Sequence, residues 1–249
     1  MTQIFLRAMA LVFLVFFVSF ASAQTEQAQG TLMAAAAPEK FSVGDECAYR
    51  RFEYIKEMPS YVRRIVKIEA DTVWSEYHRA GTVTPDLYTH DRQGNLTGKV
   101  MVPGQPWSKY SYHGGQAAKV VRPFQVGATW QVHYEYPLSQ GGVYQKYIRE
   151  VRQQATVLRQ EMVTIASGQV FRTHIVQLRG EFRDIDPNSR ALERLGQQNE
   201  EIWYTADTGC AIRMKLEQHW LGERQTLSRS ELVKYTSAGT DIAHGAARN

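Results

Sequence analysis

Cys47 and Cys210 are the only cysteines in the chain, and what they do depends on the compartment they meet. In an oxidising compartment two buried thiols most readily join as a disulfide. Sequence pattern places both inward. Cys210 shares its parity with Ile212 and Met214 in a run of alternating apolar and polar side chains, and Cys47 sits where a second, similar stretch carries Trp130. A bridge would close a loop of about 160 residues, worth at most ~5 kcal/mol by chain entropy. Two separate buried thiols and a catalytic thiolate are the competing readings. No histidine lies close to either cysteine in sequence, and apolar burial raises a thiol pKa, which weighs against catalysis.

The carboxylates offer less. Asp207-Thr208-Gly209 reproduces an aspartic-protease triplet, but the triplet occurs once and that chemistry needs two carboxylates sharing a proton. Asp-x-Gly is also an ordinary turn. Asp184-Ile185-Asp186-Pro187-Asn188 begins like a calcium loop, yet Ser189 stands where the sharp turn needs Gly and Leu195 where a bidentate Glu is required. That excludes an EF-hand and leaves casual cation binding open. The seven histidines show no His-Glu-x-x-His and no close pair, so no metal site is expected. A nucleophile elbow, a phosphate loop and a dinucleotide fingerprint are all missing from the sequence, and no cofactor is expected. Asn95-Leu96-Thr97 fits a glycosylation sequon, which matters only in a eukaryotic secretory pathway.

Basic residues alternate along several segments: Arg50, Arg51, Arg63, Arg64 and Lys67 early, and Arg213, Lys215, Arg229 and Lys234 late. We read these as a solvated sheet face paired across strands with Glu53, Glu69, Glu217 and Glu231. An anionic-ligand surface is the competing reading.

The first 23 residues set the compartment. Arg7 precedes an apolar run, Ala8–Phe20, and Ala21-Ser22-Ala23 has the small-x-small form of a signal-peptidase site. The run is shorter than the roughly 20 apolar residues of a bilayer-spanning helix. A signal peptide cleaved after Ala23 is expected, with a periplasmic mature chain that does not span the membrane. The net charge of +4 falls to +3 without Arg7, too little to argue for nucleic acid.

Composition points to strands. All thirteen Tyr and five Trp lie beyond the leader, and such residues favour half-buried pleated surfaces. Residues 24–40 read as a flexible lead-in, 41–235 as a single β domain and 236–249 as a disordered tail. Turn signals fall at Gln93-Gly94-Asn95, Gly114-Gly115, Gly141-Gly142, Asp207-Thr208-Gly209 and Gly222-Glu223. Ile212, Met214, Leu216 and Trp220 alternate with Arg213, Lys215, Glu217 and His219, as do Trp130, Val132, Tyr134 and Tyr136 with Gln131, His133 and Glu135. Such alternation needs an antiparallel sheet with one dry face. Asn188–Gln198 is the exception: Ser189 could cap one short helix ending near Gly196. Phe41-Ser-Val-Gly44 and Phe124-Gln-Val-Gly127 echo each other ahead of aromatic segments, from duplication or simply because Gly suits a tight strand entrance.

Three pieces of the C-terminal half carry a family resemblance. Phe124–Trp130 followed by Tyr134 and Tyr136 is the first. Glu161–Leu178 is the second, with Ile165-Ala166 where Val-Pro is usual. The third is Glu201–Lys215 followed by Glu231-Leu-Val-Lys-Tyr235. Together they resemble a family of uncharacterised exported bacterial proteins, a domain of unknown function, over Phe124–Tyr235. The resemblance implies a periplasmic antiparallel β fold and brings no catalytic residues. Cys210 departs from that pattern.

The sequence thus predicts an all-β fold: a strongly curved antiparallel sheet, open sandwich or half-barrel, with at most one short helix. A non-enzymatic binding or envelope-associated role follows, holding a lipid-like ligand or a protein partner on the concave face. The alternative is an envelope-polymer hydrolase using Asp184, Asp186 or Asp207.

Overall fold

The structure is a computed structural model, and it describes residues 41–100, 108–109, 111–112, 118–140, 143–221 and 225–238. The chain divides into units Met1–Ala36 and Ala37–Asn249, and every described residue falls in the second. The expected leader, the lead-in, the tail beyond 238 and the turns at 114–115, 141–142 and 222–223 lie outside the described residues.

Among the described residues thirteen strands follow one another: β1 (Glu46–Glu53), β2 (Lys56–Glu69), β3 (Thr72–Arg79), β4 (Asp86–Asp91), β5 (Leu96–Val100), β6 (Ser108–Lys109), β7 (Ser111–Tyr112), β8 (Thr129–Gln140), β9 (Val143–Thr164), β10 (Val170–Ile185), β11 (Leu192–Tyr204), β12 (Ala211–Trp220) and β13 (Gln225–Thr236). They form one sheet, in the order β6-β5-β4-β3-β2-β1-β13-β12-β11-β10-β9-β8-β7. Two meanders therefore meet where β1 pairs with β13. β6 and β7 are separated by one residue, so both edges of the sheet end on the same short stretch of chain. No strand pairing closes the sheet into a barrel among the described residues.

The expected alternation holds where the sequence showed it most clearly. Val132 and Tyr134 are buried, Gln131 is exposed, and Met214 and Trp220 pack against the core. Strict alternation fails at one end, where both Ile175 and Val176, and both Ile202 and Trp203, are buried. The tip of the long β9–β10 hairpin bends over and covers that end: Ser167 N donates to Val233 O at 3.1 Å, and the Gln169 amide pairs with both backbone groups of Tyr235 at 3.0 Å. A face that should be wet is thereby dried.

The echo proves to be one structural device used twice. Gly44 has φ +95° and Gly127 φ +87°, a region open to Gly at little cost. Gly44 N donates to Ile65 O and Ile65 N to Asp45 O; Gly127 N donates to Val157 O and Val157 N to Ala128 O. Each turn locks the strand it leads into, β1 or β8, to the next strand in sequence, β2 or β9.

The short helix expected over Asn188–Gln198 does not form; Leu192–Tyr204 is β11. Ser189 caps no helix. Its backbone N and its hydroxyl both donate to the Asp186 carboxylate in a tight turn, at 2.7 and 3.0 Å. Gly196 is a packing glycine rather than a helix stop: an added Cβ would lie 2.3 Å from the Phe182 ring.

Candidate functional site

The cysteines come first because they hold the seam of the sheet. Cys47 and Cys210 are joined, with Cα atoms 6.5 Å apart, within the usual range for a bridge. Both are buried in one apolar cluster with Tyr49, Ile175, Trp203 and Ile212. The link ties β1 to the loop 205–210 and so fixes the concave surface between them.

The three candidate carboxylates are not brought together. Asp184 is fully buried in a two-bond ion pair with Arg149, at 2.6 and 2.8 Å. Asp186 closes the 186–191 turn, and hydrogen bonds from Ser189 and Asn188 hold its carboxyl below the usual range. Asp207 is exposed in the 205–210 loop, where it accepts from Thr205 Oγ1 at 3.3 Å. That loop follows Tyr204, which pairs with His174, whereas Asp184 pairs with Arg194. Ten residues of β10 thus separate the two ends, roughly 30 Å at strand spacing. No acid–base pair forms from these groups. Among the described residues, no group of three or more His, Cys, Asp or Glu side chains could hold a metal ion.

The charge pattern divides unexpectedly. Most of the alternating basic residues do lie on a solvated face: Arg50, Arg213 and Arg229 all approach Glu231 at 3.4–3.6 Å, and Lys215 approaches Glu217 at 3.2 Å. Arg64 pairs with Glu46. Arg63 is the correction. It is only 6% exposed and points to the concave side. In a pleated strand two adjacent arginines must face opposite ways, and Tyr61-x-Arg63-x-Ile65 put Arg63 with the apolar set. That parity was the available signal.

Around Arg63 the first meander builds a cavity of about 310 Å³. One wall is a ladder of tyrosines from four successive strands. Tyr49 and Tyr61 are register partners and stack at 4.9 Å; Tyr61 to Tyr77 is 5.5 Å and Tyr77 to Tyr88 is 4.3 Å. Offset rings at such separations add roughly 0.5–1.5 kcal/mol each beyond the area they bury. Burial pushes all four hydroxyls up, Tyr88 to about 12, so they stay neutral. The facing wall is Ile202, Tyr204, Ala211 and Met214 from β11 and β12. On a flat sheet β2 and β12 would lie three strand spacings apart, roughly 14 Å. Instead Arg63 Nη1 donates to Gly209 O, just before β12, at 2.6 Å. Curvature makes the cavity. Its rim is set by Asn95, fully buried, whose side-chain amide exchanges two hydrogen bonds with the Val120 backbone at 3.0 and 2.6 Å. Asp91 braces the same Asn95 amide at 2.9 Å.

Polar accounting within this cavity is incomplete. Arg63 Nε donates to Ser75 Oγ at 3.1 Å and Nη1 to Gly209 O, but Nη2 is buried with no acceptor. Both acceptors are neutral. No Asp or Glu is among the residues that line the cavity. His90 is buried beside it, with Nδ1 lacking a partner. Burial, then the Arg63 charge, hold its imidazole well below the ordinary value, so it is uncharged. A buried donor left unmade on a charged group costs about 1–3 kcal/mol or more.

Other depressions lack this feature. The trough bounded by Arg152, Arg179, Glu181, Gln197 and Asn199, about 520 Å³, is larger but lies on the outer face among exposed chains.

No family model and no curated protein matches the chain, so the family that the C-terminal half resembles is not confirmed. Among solved structures, the chain is similar to a Bacteroides fragilis protein thought to be exported, with a YmcC-like fold. The TM-score is 0.48 at 14% identity, over 81% of this chain and 100% of that one. That likeness is too slight to carry a family or a function across.

Proposed function

We propose that this chain is an exported, non-enzymatic binding protein that holds a small apolar-bodied ligand on the concave face of its sheet. The cavity between the tyrosine ladder and the β11–β12 wall is the observation that carries this reading. At about 310 Å³ it sits at the small end of the range for ligand sites, roughly 300–1,000 Å³. It suits a single acyl chain or ring system rather than a two-chain lipid. Export is supported by the Arg7, Ala8–Phe20 and Ala21-Ser22-Ala23 pattern and by the buried Cys47–Cys210 bridge, which belongs in an oxidising compartment. In this reading the leader is cut after Ala23 and the 41–235 segment works as one periplasmic β domain.

Native mass spectrometry of the protein purified from envelope extracts tests this directly. The expected result is a chain beginning at Gln24, lighter than the reduced form by the two hydrogens lost in the bridge, with a lipid-sized adduct lost on collisional activation. A clean apo mass under gentle conditions, with no uptake of added amphiphiles, contradicts the binding role.

A further inference from the structure

The geometry points to Arg63 as the anchor for an oxyanion, a carboxylate or phosphate group, on the ligand that the tyrosine-lined cavity takes. This rests on the binding role proposed above and specifies its chemistry. Arg63 is nine-tenths buried, lines the cavity and has one terminal nitrogen with no acceptor. Its two existing partners, Ser75 Oγ and Gly209 O, hold the guanidinium in place without neutralising it. A planar guanidinium fixed in this way, with Nη2 left unpaired, suits an oxygen of a carboxylate or phosphate.

The rest of the concave surface shows that this arrangement is not a general habit of the chain. Arg149, equally buried, is matched by Asp184. Lys119, which borders the same cavity, is matched by Glu200 at 2.5 Å. Arg63, by contrast, donates only to the neutral Ser75 hydroxyl and Gly209 carbonyl. His90 supplies a second unpartnered polar atom on the cavity wall, Nδ1, and no charge that would compete with Arg63. The surrounding wall is mostly aromatic and aliphatic, with the cations Lys119 and Arg122 also on it, so the ligand is an anionic amphiphile with its head at Arg63. Free inorganic anions carry the same head chemistry, and the test separates the two sources.

Titration calorimetry on the full mature protein would compare dodecanoate, dodecyl phosphate, dodecanol, acetate and inorganic phosphate. The two acidic amphiphiles should bind roughly tenfold or more tightly than dodecanol, as expected for a charge-assisted hydrogen bond. Arg63→Gln should abolish that difference. If Arg63→Gln does not fold, the Arg63 Nε–H resonance of the wild type gives the answer: it should shift on adding dodecanoate and stay still with dodecanol. Inorganic phosphate or acetate binding as tightly as its amphiphile keeps the oxyanion site and makes the free ion its ligand. Dodecanol binding as tightly as dodecanoate, or an unmoved Arg63 resonance, overturns the oxyanion assignment while the binding role stands. Failure of every probe to bind overturns both.

Discussion

Arg149 and Arg63 are both sunk into the concave face, one in each meander, and only Arg149 meets a carboxylate. The second meander pairs its buried charges among themselves, although Gln153 Oε1 and Trp220 Nε1 are left without partners. Arg149 donates two hydrogen bonds to Asp184, with its guanidinium also lying over the Phe182 ring at 4.2 Å. Beside them Gln218 donates to Gln198 and Gln198 to Glu200, at 2.6 and 2.7 Å, with Lys119 closing the set. The first meander stacks tyrosines instead and leaves Arg63 Nη2 and His90 Nδ1 without partners. Satisfied polar groups stiffen a core, whereas unsatisfied ones hold free energy in reserve for a partner. On the binding role proposed above, the second meander serves stability and the first takes the ligand.

The comparison can be broken at several points. The largest effect is expected from Asp184→Asn, which strands Arg149 in a dry site: urea unfolding should show a loss of about 3–5 kcal/mol. Cys210→Ser releases β1 from the 205–210 loop, and a loss of about 2–5 kcal/mol is expected, with a rise in the unfolding rate. Loss of the bridge should also loosen the cavity, because Gly209, next to Cys210, supplies an acceptor to Arg63. A smaller effect comes from pH. The folded pKa of His90 is lowered by burial and then by Arg63, so the unfolded chain takes up that proton first on acidification. Stability is therefore complete above the unfolded value near 6.5 and falls as pH drops below it, by at most about 1.4 kcal/mol per pH unit. His90→Gln should flatten this slope. His174, lowered by burial and then by Arg122, contributes in the same direction and should leave a residual.

Local features of the sequence were readable because their causes are local. Alternation in β8 and β12 follows from the pleat, and the paired Phe-x-Val-Gly turns follow from what Gly permits. The bridge was legible as an inference from two inward cysteines and an export signal. Asn188–Gln198 misled because Ser189 and Gly196 mimic the start and stop of a helix. Their real duties are long-range or competing: Ser189 serves the Asp186 turn, and Gly196 makes room for Phe182. Arg63 was hidden in a basic run and averaged with its neighbours, although its parity with Tyr61 and Ile65 marked it. What no local pattern contains is the curvature that brings Gly209 to Arg63 across the sheet. Register and bending set that contact, and they depend on every strand between.

The most direct test is a pair of urea titrations on the ligand-free protein, comparing Arg63→Met with Arg149→Met. Removing Arg149 leaves the Asp184 carboxylate buried alone and should cost about 3–5 kcal/mol. Removing Arg63 strands no charge: relief of its own desolvation offsets the lost bonds to Ser75 and Gly209, so stability should stay within about 1 kcal/mol of wild type. A loss at Arg63 as large as that at Arg149 would make Arg63 a structural cation, and the contrast between the two halves would fail.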